Sequence, residues 1–192
     1  MWPTEVDALE AEQRRLAQAR PQPWRPPDAP MNVAGCWVCF PRGVSGRGRV
    51  GDPAWSGAGA TRAGRLVGPH VGEGVAAAPY LPGLMALRAG ALLESVVRGL
   101  PQAPDVLLLD ATGREHPRRC GLAVHVGATL DLPTVGVTHR PLGPRGTGRR
   151  TGPGPPARCA WTARWWPAGC EPGSAPGRWW CTRAGVPTSR PR

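Results

Sequence analysis

The sequence has no lysine and no isoleucine, and only one asparagine, one phenylalanine and one tyrosine. All 24 basic residues are arginine. The missing residues are those with AT-rich codons, while Ala, Gly, Pro and Arg abound. That is the mark of a GC-rich gene, so arginine replaces lysine for reasons unrelated to any ligand. The formal charge of +11 invites a nucleic-acid reading, but it is unevenly spread. From Arg145 onward there are nine arginines and one acid, Glu171, which puts +8 in the tail and leaves +3 for residues 1–144. Charge alone is therefore weak support for nucleic-acid binding.

Long apolar runs are also lacking. None approaches the length of a membrane span, and the N-terminus is too charged for a signal peptide. The six cysteines (36, 39, 120, 159, 170 and 181) show no secreted framework. A cytoplasmic monomer away from membranes is the expectation. Cys36-Trp37-Val38-Cys39 is a CxxC, but no second pair completes a zinc site. On a strand, positions i and i+3 point to opposite faces, so a structural reading outranks metal or redox chemistry here.

The length suits one α/β domain with a real core. Thr4 is placed to cap a first helix that ends near Ala19, before Pro21, Pro23, Pro26 and Pro27. Val6, Leu9 and Leu16 share one face of it, and Gln13 interrupts that face. Val33 to Phe40 reads as a strand buried on both sides. Residues 41–77 are Gly-rich, and Ala54-Trp55, Arg65 to Val67 and His70-Val71 are pieces of two more strands of a meander. Pro79-Tyr80-Leu81-Pro82-Gly83 is a rigid turn. Leu84 to Leu100 is a helix ended by Gly99 and Pro101.

The stretch from Asp105 to His139 organises the rest. The apolar run Val106 to Leu109 stops on Asp110, a basic Gly-containing loop follows to Arg119, and Cys120 to Leu130 reads as a helix. Pro133 breaks that helix, and Thr134 to Thr138 is a second apolar run. Strand, loop, helix, strand is a βαβ unit, and short apolar strands suit a sheet covered on both faces. The carboxylate sits at the strand end, where open α/β sheets bind ligands.

Asp110-Ala111-Thr112-Gly113, His116-Pro117-Arg118-Arg119, Gly121-Leu122-Ala123 and Leu132 to Val137 together resemble the central block of endonuclease V. Pro79 to Gly83 followed by Leu87-Arg88 is similar to that family's PYxPG segment, and Val33 to Phe40 to its first strand. The order is the family's over residues 5–142. The resemblance implies an α/β fold of RNase H-like type, a mixed sheet flanked by helices. It implies a Mg²⁺-dependent (or Mn²⁺-dependent) nuclease cutting DNA or RNA near deaminated purines such as inosine. It further implies that Pro79, Tyr80, Leu81, Pro82 and Gly83 wedge into the duplex. Gly113, His116, Pro117, Arg118 and Arg119 would then hold the lesion and backbone, and Asp110 the metal. An aromatic ring can replace the stacking of an extruded base.

The same resemblance exposes gaps. The family's strand Asp is matched by Trp37, its helix Glu by Ala89, and its late Lys by His139. Only Asp110 remains, and it can hold an ion weakly with substrate phosphate and water. Glu94 is out of helical phase as a replacement, and Glu115, in the lesion-side loop, is the carboxylate expected within reach of Asp110's neighbourhood. Catalysis is thus expected to be impaired, and a non-catalytic binder of damaged nucleic acid is the alternative.

Residues 1–144 form the expected domain, and residues 145–192 an irregular, disordered tail rich in Arg, Pro, Gly and Trp, without helical or strand period. One reading of the tail is an Arg/Trp arm for nucleic acid. The other is a frameshift near residues 143–150. Back-translated with GC-rich codons and read two bases on, Arg178 to Gly185 becomes Val-Val-Val-His-Ala-Gly-Trp-Arg, a strand-like phrase. The frameshift reading predicts a coding-like second frame across the codons of residues 145–192. Nucleotides showing no such frame would leave the arm.

Overall fold

The computed structural model describes residues 1–21, 23–41 and 48–138, and the backbone of a strand at 180–184. In chain order the elements are α1 (Val6–Gln18), β1 (Asn32–Cys39), β2 (Pro53–Arg62), β3 (Arg65–Val75), α2 (Met85–Arg98), β4 (Val106–Asp110), α3 (Leu122–Leu130), β5 (Thr134–Thr138) and β6 (Trp180–Ala184). The strands form one mixed sheet in the order β3-β2-β1-β4-β5-β6. β1, β2 and β3 make an antiparallel meander. β4 pairs parallel with β1 on one side and with β5 on the other. β4, α3 and β5 are therefore the βαβ unit expected from the sequence. β6, inside the 145–192 segment, pairs antiparallel with β5; the rest of that segment lies outside the described residues.

The chain leaves β1 toward β2 and β3, then returns through α2 to β4 on the other side of β1. The carboxyl ends of β1 and β4 thus flank a topological switch point, and Asp110 stands there.

The described helices all serve one face of the sheet. Ala34, Cys36, Ala58, Leu107 and Leu109 meet Leu87, Leu93 and Val96 of α2 and Val126 of α3 in one core. Small residues let helix and sheet approach closely, as at Gly72 and Gly74, where added Cβ atoms would meet Val96 and Leu92. α1 packs against α2 and α3 and buries Leu9 completely. Trp2 closes the far side. It lies across Gly90 of α2, donates its indole N–H to Glu94 Oε2 at 2.6 Å, and packs tilted on His125 with ring centroids 4.6 Å apart.

The opposite face corrects the sequence reading. β1 is not buried on both sides, and neither is β4. Trp37 is 52% exposed and Leu108 39%, and Trp55, Leu66, Val71 and Val75 are exposed as well. Alternate residues of each strand share a face, and among the described residues no helix covers this one. Apolar composition announced buried strands, yet it does not report which faces receive a covering element. Other boundaries move slightly. The N-cap of α1 is Glu5, not Thr4, and it makes no side-chain cap bond. β2 and β3 run far longer than their sequence hints, because strand pairing outweighs the low propensity of Gly. Among the described residues no helix is long and apolar enough to cross a membrane.

Candidate functional site

The loop after β4 is held by its own backbone. Ala111 N–H reaches Val137 O at 3.1 Å, Gly121 N–H reaches Gly113 O at 2.9 Å, and Ala123 N–H reaches Thr112 O at 3.1 Å. Gly121 has to be glycine, since a Cβ would lie 2.3 Å from Thr112 O. Gly113 is buried, and its N–H donates to Glu115 Oε1 at 3.0 Å. Arg114 donates to the carbonyls of Ala17 and Ala19 at 3.4 and 3.5 Å, near the C-terminus of α1, where cations are favoured.

One carbonyl joins this loop to the PYLPG turn. Gly83 has φ +79, a conformation that favours glycine. Its oxygen faces three side-chain donors: His116 Nε2 at 2.9 Å, Gln13 Nε2 at 3.1 Å and Arg118 Nη2 at 3.2 Å. Arg118 Nε also donates to Gln13 Oε1 at 2.5 Å, and Arg118 Nη1 pairs with Glu10 at 3.1 Å. A carbonyl only accepts, so His116 carries its proton on Nε2, and its Nδ1 accepts from Arg118 N–H at 3.2 Å. The ring is therefore neutral. Burial lowers its pKa, and Arg118 adds to that effect against the Gly83 bond and Glu115. Gln13, which interrupts the apolar face of α1 in sequence, is 2% exposed and serves as the connector. Nothing in a single sequence announced the partner of Gln13. A buried amide on an apolar face was the available signal, because such a group requires hydrogen bonds.

The turn is anchored from below by Arg88. This side chain is 3% exposed and bonds Asp52 Oδ2, Arg49 O and Ala78 O, each at 2.8 Å. Its guanidinium also lies 4.0 Å from the ring centre of Phe40. With both ends fixed, Pro79, Tyr80, Leu81 and Pro82 project into solvent, and Tyr80 is 43% exposed. Pro117 and Arg119 are exposed beside them, whereas His116 and Arg118 are engaged in the lock. His139 lies outside the described residues.

Asp110 sits elsewhere, on the open face of the sheet. It lines an open pocket of about 310 Å³ with Trp37, Leu66 and Leu108. Trp37 lies flat on β2, and a Cβ on Gly57 would fall 2.6 to 3.1 Å from three of its ring atoms. Ala89 is fully buried in the core of α2 and does not line this pocket. Glu115 is occupied with Gly113 and does not line it either. Among the described residues no three His, Cys, Asp or Glu side chains form a metal-binding group. A lone carboxylate among Trp and Leu does not fit a resident Mg²⁺, which takes oxygen ligands. Cys36 is no alternative ligand, since burial pushes its thiol up to about 12. Cys36 is buried and Cys39 exposed, as expected for a CxxC split across a strand.

A family model for endonuclease V matches residues 60–158, more than half of the sequence. The chain belongs to the endonuclease V family. The endonuclease V of Halobacterium salinarum is 39% identical over 95 residues, covering 50% of this chain and 36% of that protein. The crystal structure of endonuclease V from Streptomyces avermitilis superposes with a TM-score of 0.62 at 30% identity, over 72% of this chain and 59% of that one. A Ciona intestinalis endonuclease V, solved with a 24mer DNA containing an inosine followed by a ribo-adenosine, shares the fold. Its TM-score is 0.58 at 21% identity, over 70% of this chain and 57% of that one. The matches thus span less than two thirds of these endonuclease V relatives. The RNase H-like α/β fold expected from the sequence agrees with these structures.

The lock and its surroundings set a pH dependence. His125 is 4% exposed, its Nδ1 has no partner, and burial lowers its pKa to about 4, with Arg15 assisting and Glu12 opposing. An unfolded chain binds that proton near pH 6.5, while the folded chain resists it. Stability is complete above about pH 6.5 and falls as pH drops toward 4, by roughly 3 kcal/mol for this residue. Urea unfolding at pH 7 and 4.5 should show the loss, and His125→Leu should lessen it. An equal loss in both proteins would remove His125 as the cause.

Proposed function

We propose that this chain is an endonuclease V-type protein that recognises deaminated purines, inosine foremost, in DNA or RNA, and that its hydrolysis of the neighbouring phosphodiester is impaired. The lock at Gly83 carries the reading. It holds a solvent-projecting Tyr80 and the exposed Pro117 and Arg119 in one rigid unit at the carboxyl edge of the sheet. A tyrosine fixed between prolines is suited to replace lost base stacking at low entropic cost. Family membership supports a nuclease scaffold, and the Ciona protein of the same fold holds inosine-containing DNA. Repair of deaminated bases by a cytoplasmic monomer is the role that goes with this reading.

The impairment rests on Trp37 and Ala89 at the positions of the family's other carboxylates, and on a pocket around Asp110 that Trp37, Leu66 and Leu108 line without a further oxygen ligand among the side chains. Mg²⁺ or Mn²⁺ is expected to bind weakly and only together with nucleic-acid phosphate. Trp37 and Ala89 favour a second reading, a binder that marks the lesion without cutting.

A labelled oligonucleotide with a single inosine, run on a gel with and without Mg²⁺ or Mn²⁺, separates these readings. An inosine-dependent shift is expected in either condition, with little cutting. Tyr80→Ala should weaken the shift about tenfold, the equivalent of ~1.4 kcal/mol, within the range for one stacked base. Equal shifts of inosine and control strands would sink the recognition reading. Efficient metal-dependent cutting would sink the impairment.

A further inference from the structure

The open face of the sheet carries a dent that the proposed lesion recognition does not use. Gly35 of β1 and Gly59 of β2 are cross-strand partners, and both point away from the helices. Neither has a Cβ, and a Cβ on Gly35 would meet nothing within 4 Å. The register of β2 against β3 shifts next to Gly59, and Leu66 of β3 leans over it at 3.6 Å from where its Cβ would be. Trp37 and Leu108 complete the sides, and Asp110 stands at the end. Because Trp37 lies flat on Gly57, the opposite face of its indole is open, and the residue is 52% exposed.

We propose that this dent binds a guanine base, either of a free nucleotide or of an unpaired position in a single strand. A flat backbone floor, an indole and two leucines suit a planar aromatic ring. Asp110 selects which ring. Among the described residues its carboxylate has no hydrogen-bond or ion-pair partner, and a carboxylate only accepts. Guanine presents N1–H and the N2 amino group side by side, so both carboxylate oxygens gain a donor. Adenine and cytosine place a ring acceptor beside their amino group. Thymine and uracil offer a single ring N–H flanked by carbonyl oxygens, which repel the second carboxylate oxygen. Hypoxanthine has only C2–H where guanine carries its amino group, so that oxygen gains no donor. The pocket is open to solvent on one side, so sugar and phosphate stay outside and need no partner. Its volume of about 310 Å³ lies in the range of small-ligand sites.

The inference is independent of inosine recognition at the Gly83 lock and is tested without it. Equilibrium dialysis of the full chain would compare guanosine 5′-monophosphate, its 1-methyl derivative and inosine 5′-monophosphate. A single strand with one guanine among thymines, against all thymine, forms the second arm. Guanine should bind saturably and at least tenfold more tightly than 1-methylguanine or hypoxanthine in one or both arms, which also tells nucleotide from strand. Gly59→Val, which fills the dent, should abolish that preference while circular dichroism remains unchanged. Should that variant not fold, the ligand series still decides. Equal binding of the 1-methyl derivative in the nucleotide arm, or no guanine preference in either arm, overturns the proposal.

Discussion

The carbonyl of Gly83 is the point on which the candidate recognition unit depends. Three side-chain donors from two separate elements converge on it, two from the loop after β4 and one from α1. None of the three partners is free to leave cheaply. A buried polar group stripped of its bond costs about 1–3 kcal/mol, and Gln13 and His116 are both buried. The turn conformation, the neutral tautomer of His116 and the orientation of Arg118 are therefore one cooperative arrangement. Arg88 secures the same turn from its other end by holding Ala78 O. Function-bearing residues on loops need this kind of scaffold if they are to keep a fixed shape.

The sheet presents a contrast between its faces. One receives α2 and α3, with α1 packed over them, and is packed with Ala, Val and Leu. The other is bare among the described residues and holds Asp110 with Trp37. A site for a divalent cation needs converging oxygen ligands, and the pocket on this face is lined by one carboxylate, Asp110, against aromatic and aliphatic walls. The residues proposed to grip a nucleic acid are mutually braced, whereas the pocket proposed for the metal has Asp110 as its one carboxylate among the described residues.

Much of the fold was legible in the sequence. The βαβ unit was marked by short apolar runs, Pro133 and the terminal Asp110, all local signals. The long strands β2 and β3 were not, because their Gly-rich stretches gain their order from pairing across the sheet. The one-sided burial of Trp37 and Leu108 was also hidden, since an apolar residue looks the same facing a helix or facing solvent. At the site, Tyr80 and Asp110 could be singled out by type and context. Gln13 read as a flaw in a helix face, and only the partner 70 residues away reveals it as the connector. Likewise, Trp2 gave no local sign of its place over Gly90 and His125.

The most direct test of the lock is amide hydrogen exchange in Gln13→Ala. The N–H of Leu84, bonded to Leu81 O, reports on the turn, and the N–H of Arg119, bonded to His116 O, reports on the loop. If the Gly83 carbonyl unites them, both amides should lose protection together, by about tenfold or more, while α2 and β4 keep theirs. Loss at one amide alone, or at neither, would show that turn and loop hold their shapes separately and would contradict the account.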